Sequence, residues 1–127
     1  MLQKQLRIMI LEDSPYRIKF FKGHIPAFCT VQIFETAWPA IKYVYEFKCD
    51  LILLDHDLGG KQFVTDDTIN GTGYDVATII PETINKDTPI VVHSVNPVGA
   101  QRMVDAIGDN AVHIPFSGNF FNIVKFH

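Results

Sequence analysis

Short apolar runs alternate along this chain with longer segments in which apolar residues recur every three or four positions. A short continuous apolar run is typical of a strand buried on both faces of a sheet, and the longer recurrence is typical of an amphipathic helix. Five strands are therefore predicted. They are Arg7–Leu11, Cys29–Phe34, Asp50–Leu54, Pro89–Val92 and Ala111–Ile114.

Helix signals follow each predicted strand. Ser14–Pro15 and Asn96–Pro97 each join a capping side chain to a proline at the first helical position. Thr36 is a candidate cap for the second helix, and the third helix is predicted from about Thr72 to Ile80. The apolar tail, Phe116 to His127, predicts one last short helix.

The alternation of five strands with five helices predicts an α/β fold, a three-layer αβα sandwich around a five-stranded parallel sheet. We expect the flavodoxin-like strand order 2-1-3-4-5, in which ligands bind at the carboxyl ends of the strands. The 127 residues are expected to form a single domain over positions 1–127.

Polar residues with ionisable side chains follow the predicted strands. Glu12 and Asp13 follow the first strand, and Asp55, His56 and Asp57 follow the third. Carboxylates at the ends of adjacent strands suit a hard cation that keeps room for water and a phosphate. We therefore expect a metal site formed by Asp13, Asp55 and either Glu12 or Asp57. The alternative is that these acids only cap helices and face water.

The composition limits the partners. With 11 Lys and Arg against 14 Asp and Glu, the net charge of -3 gives no basic surface for binding bulk nucleic acid, although a nucleotide or an RNA end remains open. Cys29 and Cys49 provide neither a disulfide framework nor zinc-ligand spacing. No secretory signal or membrane span is recognisable, so a cytoplasmic location is expected.

The order of the strand-end residues resembles the CheY-like receiver domain of bacterial two-component response regulators. Asp55 matches the phosphoacceptor of that family, Glu12–Asp13 its acidic pair, and Ser94 its switch serine or threonine. The resemblance implies that Mg²⁺, or Mn²⁺, is held by Asp13, Asp55 and the backbone carbonyl of Asp57, with Glu12 acting through water. It also implies that Ser94 contacts the phosphoryl group.

Two longer motifs are more specific. The segments Asp55-His56-Asp57-Leu58-Gly59-Gly60 and His93-Ser94-Val95-Asn96-Pro97-Val98-Gly99-Ala100 are similar to those of cyclic-phosphate processing receiver domains, which occur in bacteria and phages. This second resemblance implies a role on cyclic phosphate ends or cyclic nucleotides.

The chain also departs from the usual receiver pattern. Receivers place a lysine before the proline that follows the fifth strand, and here that position is Ile114. The loop after the third strand is longer than usual, and Leu58-Gly59-Gly60 replaces the usual Met-Pro pair. Lys61 on this loop is a candidate replacement cation, with a simple exposed lysine as the alternative.

Two histidines adjoin the residues expected to handle phosphate. His56 follows Asp55 and His93 precedes Ser94, and an imidazole can act as general acid or general base near neutral pH. Strand alternation opposes this role, because the immediate neighbours of Asp55 and Ser94 would point to the other side of the sheet. A structural role is the alternative for each histidine.

Three functions follow from these residues. The first is a metal-assisted phosphoesterase acting on a 2′,3′-cyclic RNA end or a cyclic nucleotide. Its catalytic candidates are Asp55, His56, His93 and Ser94, and its phosphate-binding candidates are Arg17, Lys61, Ser94 and Asn96.

The second function is an atypical receiver that a histidine kinase phosphorylates on Asp55. The third is a non-catalytic pseudo-receiver that binds a protein partner. The apolar tail, with Phe120 and Phe121, is compatible with protein binding, and core packing explains it equally well.

Overall fold

The computed structural model describes residues 5–58 and 71–125. The five predicted strands are present with bounds that differ by at most one residue. They are β1 Arg7–Leu11, β2 Thr30–Phe34, β3 Leu51–Leu54, β4 Ile90–Val92 and β5 Ala111–His113. They form one sheet in the order β2-β1-β3-β4-β5, and every neighbouring pair is parallel. The predicted order 2-1-3-4-5 is confirmed.

Helices cover both faces of this sheet. They are α1 Pro15–His24, α2 Ala37–Glu46, α3 Gly73–Ile79, α4 Pro97–Ile107 and α5 Phe120–Ile123, and a 3₁₀ turn, Ile80–Glu82, follows α3. One core layer packs α2, α3 and α4 against one face, and a second packs α1 and α5 against the other. The three-layer αβα prediction is therefore confirmed.

Two of the three predicted capping residues act as expected, at α1 and α4. Ser14 accepts a hydrogen bond from the Arg17 amide, and Asn96 accepts one from the Gly99 amide. Thr72 forms a reciprocal capping box at the start of α3. Thr36 precedes α2, but its side chain makes no capping hydrogen bond.

The apolar tail contributes to the core. Phe120 in α5 is fully buried and packs edge-on against Phe21 of α1, with ring centroids 5.7 Å apart. Core packing thus accounts for this part of the tail. Among the described residues, none of the helices has the length and apolar character that crossing a membrane requires.

Candidate functional site

The sheet pairing extends one residue past the carboxyl ends of β1, β3 and β4. The amide of Asp55 donates to the carbonyl of Leu11 at 3.0 Å, and the amide of His93 donates to the carbonyl of Leu54 at 2.9 Å. Because neighbouring residues in register point to the same face of a sheet, Glu12, Asp55 and His93 lie side by side on the α1 and α5 face. We call these three residues the strand-end row.

Glu12 is held on both carboxylate oxygens. Its Oε1 lies 2.9 Å from Nε2 of His93, and its Oε2 accepts the amides of Asp13 and Ser14, each at 3.1 Å. Burial acts to raise the pKa of Glu12, but the hydrogen bonds from His93 and the Ser14 amide and the charge of Arg17 outweigh it, so the pKa is lowered. Glu12 is therefore a carboxylate near neutral pH.

Asp55 occupies the centre of the row. Its Oδ1 accepts the amide of His56 at 2.9 Å, and its Oδ2 lies 3.8 Å from Nη1 of Arg17. Burial, together with the charge of Glu12, raises the pKa of Asp55 to about 6, although Arg17 and the hydrogen bond from the His56 amide act in the opposite direction. A buried carboxyl group with this pKa can exchange a proton near neutral pH.

Arg17 reaches the row from the helix layer. It lies in the first turn of α1, and its Nη1 is 3.6 Å from Glu12 Oε1 as well as 3.8 Å from Asp55. Its guanidinium lies over the ring of Phe116, 4.9 Å from the centroid. The amide of Phe116 donates to the carbonyl of His93 at 2.9 Å. Sequence reasoning overlooked Phe116, and an aromatic residue directly after Pro115 was the available signal.

His56 belongs to a different cluster at the start of α4. Its Nδ1 lies 2.7 Å from Asp57 Oδ1, which also accepts the side-chain amide of Asn96 at 3.2 Å. The ring packs so closely on Gly99 that a Cβ there would lie 2.6 Å from His56 Cγ. The two histidines therefore do not flank one reaction centre: His93 is in the row, and His56 secures the start of α4.

Ser94 does not stand opposite Asp55 in the sheet. Leu54 pairs with Val92, so the residue opposite Asp55 is His93. The hydroxyl of Ser94 instead accepts the amide of Asn96 at 3.0 Å, and its carbonyl accepts a hydrogen bond from Nε2 of His113 at 2.7 Å. Contact of Ser94 or Asn96 with a phosphate stays a prediction.

The predicted metal ligands are only partly gathered. Within residues 5–58 and 71–125, the one group that brings ligand atoms within 4.8 Å of one another is Glu12, Asp55 and His93. Asp57 is engaged with His56 and Asn96, and Asp13 is partly exposed beside Glu12. Two carboxylates that face a single arginine leave net negative charge, so the donor set fits a divalent cation. Carboxylate oxygens favour Mg²⁺ or Mn²⁺.

The apolar position on β5 is adjacent to the row. Ile114 follows β5 and its amide donates to the carbonyl of Val92 at 2.9 Å, which brings it beside His93. Its side chain packs with the α1 and α5 core layer. Positive charge therefore comes to the row from Arg17 and not from β5. Lys61, the other predicted cation, lies outside the described residues.

Residues 9–109 match the sequence profile of the family described as the cyclic-phosphate processing receiver domain. The chain belongs to this family. The resemblance seen in the motifs is thus confirmed over most of the chain. A search among curated proteins finds no match.

Solved structures show the same fold. The phosphorylated cyanobacterial phytochrome response regulator RcpA is 22% identical, with a TM-score of 0.69 over 94% of this chain and 86% of that one. The response regulator TrrA from Thermotoga maritima, in complex with Mg²⁺ and BeF, is 20% identical, with a TM-score of 0.69 over 93% and 92%.

A third structure is the receiver domain of a sensor histidine kinase from Pseudomonas aeruginosa with magnesium in its active-site cleft. It is 19% identical, with a TM-score of 0.66 over 88% of this chain and 85% of that one. At these identities the similarity is one of fold, the receiver domain of the response-regulator type.

Proposed function

We propose that this receiver domain is a metal-assisted phosphoesterase that opens cyclic phosphates, such as a 2′,3′-cyclic RNA end or a small cyclic nucleotide. The observation that carries the proposal is the strand-end row, whose two buried carboxylates lie 3.6 and 3.8 Å from the guanidinium of Arg17. Phosphate chemistry requires positive charge for the phosphate oxygens and a group that exchanges a proton. Membership of a family described by cyclic-phosphate processing adds support.

In the proposed reaction, a water molecule attacks phosphorus and one ring P–O bond breaks. The proton lost by the water ends on the released ring oxygen, so the product is a phosphate monoester. Arg17 would neutralise phosphate oxygens, because its guanidinium lies within 3.8 Å of both carboxylates of the row. The carboxylate of Glu12 would handle the proton, and it is held in place by its 2.9 Å hydrogen bond with His93.

A divalent cation is part of the proposal. Asp13 and Asp55, with the backbone carbonyl of Asp57, are the residues that would hold Mg²⁺ or Mn²⁺, and the bound cation would supply further positive charge for the phosphate. Two observations support this assignment. The row carries more negative than positive charge, and Mg²⁺ occurs in the receiver structures from Pseudomonas aeruginosa and Thermotoga maritima.

Phosphorus NMR tests the proposal directly. The protein is incubated with 2′,3′-cyclic AMP and Mg²⁺ or Mn²⁺, and the cyclic resonance is expected to convert to that of a monoester. Asp55→Asn should abolish the conversion. Asp105→Asn is the matched control, because Asp105 is an exposed aspartate on α4 whose side chain accepts a hydrogen bond from Gln101. Conversion that survives Asp55→Asn would refute the assigned site.

A second candidate function is phosphorylation of Asp55 by a histidine kinase. Asp55 follows β3, and its Oδ2 lies beside Arg17, which would accompany an acyl phosphate as counter-charge. The test is incubation with acetyl phosphate and Mg²⁺, followed by mass spectrometry. A stable increase of one phosphoryl group, absent in Asp55→Asn, would support this candidate. Inactivity toward both substrates would favour a pseudo-receiver that binds a protein partner.

A further inference from the structure

The contact between His93 and Glu12 requires a proton between two atoms that can both act as acceptors. His93 Nε2 and Glu12 Oε1 are 2.9 Å apart, and both side chains are buried, at 0% and 1% exposure. At that distance a nitrogen lone pair facing a carboxylate oxygen would be repulsive. The proton therefore belongs either to the imidazole nitrogen or to the Glu12 carboxyl group.

The surroundings of Glu12 favour its ionised form. Oε2 already accepts two backbone amides, those of Asp13 and Ser14, and Arg17 lies 3.6 Å from Oε1. Hydrogen bonds and positive charge both stabilise a carboxylate over a carboxylic acid. The shared proton is therefore assigned to Nε2 of His93, which donates to Oε1.

The other nitrogen of His93 determines how many protons the ring carries. Nδ1 is buried and has no hydrogen-bond partner among the described residues. The ring is packed edge-on against Phe21 and Phe120, with centroids 5.1 and 6.2 Å away. A proton on Nδ1 would be a buried donor without an acceptor among the described residues, which is unfavourable, and more so when the group is charged. The geometry therefore favours an imidazole with a single proton on Nε2.

We propose that His93 is a positioning residue, a fixed Nε2–H donor that holds the Glu12 carboxylate in place, and that it neither carries protons nor binds the metal. The inference rests on the proposed phosphoesterase function and divides the roles within the Glu12 and His93 pair. A histidine that binds a metal almost always donates its other N–H to an acceptor. Nδ1 lacks one within the described residues, so the donors for a cation are oxygen atoms.

Two spectroscopic measurements on the wild-type protein test this role without relying on turnover. Long-range ¹H–¹⁵N spectra of ¹⁵N-histidine protein at neutral pH should show one protonated nitrogen for His93, Nε2, with assignment by His93→Gln. A proton on Nδ1, or on both nitrogens, would overturn the assignment. Pulsed EPR of protein loaded with Mn²⁺ should show no directly coordinated ¹⁴N, and a coordinated imidazole signal would equally overturn it.

Paired variants then test the link to catalysis. Glutamine places an N–H donor near the position of Nε2, whereas leucine fills the space without a donor. His93→Leu is expected to lower turnover of 2′,3′-cyclic AMP by roughly 10–100-fold, with the loss in kcat, and His93→Gln should restore most of it. Equal losses in the two variants would refute positioning through Nε2. If the wild-type protein itself shows no turnover, the phosphoesterase proposal fails, while the NMR and EPR results still decide the role of His93 at Glu12.

Discussion

Replacement of Asp55 by asparagine should make the metal-free protein more stable near neutral pH. The carboxyl group of Asp55 is buried, at 4% exposure, and adjoins the carboxylate of Glu12. Asparagine has nearly the same shape, and its side-chain oxygen can still accept the amide of His56. The substitution therefore removes an unfavourable buried charge while it keeps the local hydrogen bond.

The size of the effect follows from the pKa of Asp55, which burial and the charge of Glu12 raise from the ordinary 3.8 to about 6. Such a rise corresponds to about 3 kcal/mol at pH 8. Because the folded-state pKa lies above the unfolded one, the stability that a protonated Asp55 provides at low pH is lost as the pH rises through 6. The advantage of the asparagine variant should therefore shrink to about half at pH 5.

Urea unfolding in EDTA between pH 5 and 8 measures this difference, with the free energy of unfolding of each variant compared at each pH. Asp105→Asn is the control, because it removes an exposed aspartate and should change stability by less than about 0.5 kcal/mol. Mg²⁺ should then stabilise the wild type more than Asp55→Asn, since a bound cation compensates the buried charge.

Either of two results would refute a destabilising role for the ionised Asp55 carboxyl group. One is an asparagine variant that is no more stable than the wild type at pH 8 without metal. The other is a stability difference that stays constant between pH 5 and 8, because the effect of Asp55 would then not come from its ionisation.

Three further substitutions test the supports of the site, and a fourth, Gly23→Ala, is the control for the first. Gly73→Ala should destabilise the fold by about 1–3 kcal/mol in thermal unfolding, because a Cβ would lie 1.8 Å from the carbonyl oxygen of Asp55. At Gly23 an added Cβ would meet no atom of the described residues within 4 Å, so Gly23→Ala should instead stabilise α1 by about 0.5–1 kcal/mol, and similar losses in both variants would contradict the steric argument. Asn96→Ala removes the cap of α4 and should cost about 0.5–2 kcal/mol in urea unfolding. Arg17→Met should raise the pKa of Asp55 further in a carboxyl NMR titration, and an unchanged pKa would exclude their electrostatic coupling.

Most of the fold could be predicted from the sequence because several local signals agreed. The apolar runs gave the strands to within one residue, and the pairs Ser14–Pro15 and Asn96–Pro97 gave the starts of α1 and α4. Thr36 shows the limit of such signals. It precedes α2 as expected, yet its side chain makes no capping hydrogen bond, so tertiary packing fixes that helix start.

The site was predicted less well, because a shift of one residue in the pairing of β3 with β4 changes which side chain stands beside Asp55. In the run from Ile90 to Ser94, sequence pattern alone does not reveal which residue stands opposite Asp55. The backbone hydrogen bond from His93 to Leu54 settles this choice, since the pleat then directs His93 toward the row. For His56, strand alternation gave the right side, because Asp55 points toward Arg17 of α1 and His56 points the other way, against Gly99 of α4.

The positive charge at the row depends on contacts between layers. Ile114 follows β5 at the position where the receiver pattern has a lysine, so this position provides no positive charge. The fold supplies Arg17 instead: Ser14 and Pro15 fix the start of α1, so Arg17 falls in its first turn, above both carboxylates. The ring of Phe116, a residue that follows β5, packs against the guanidinium.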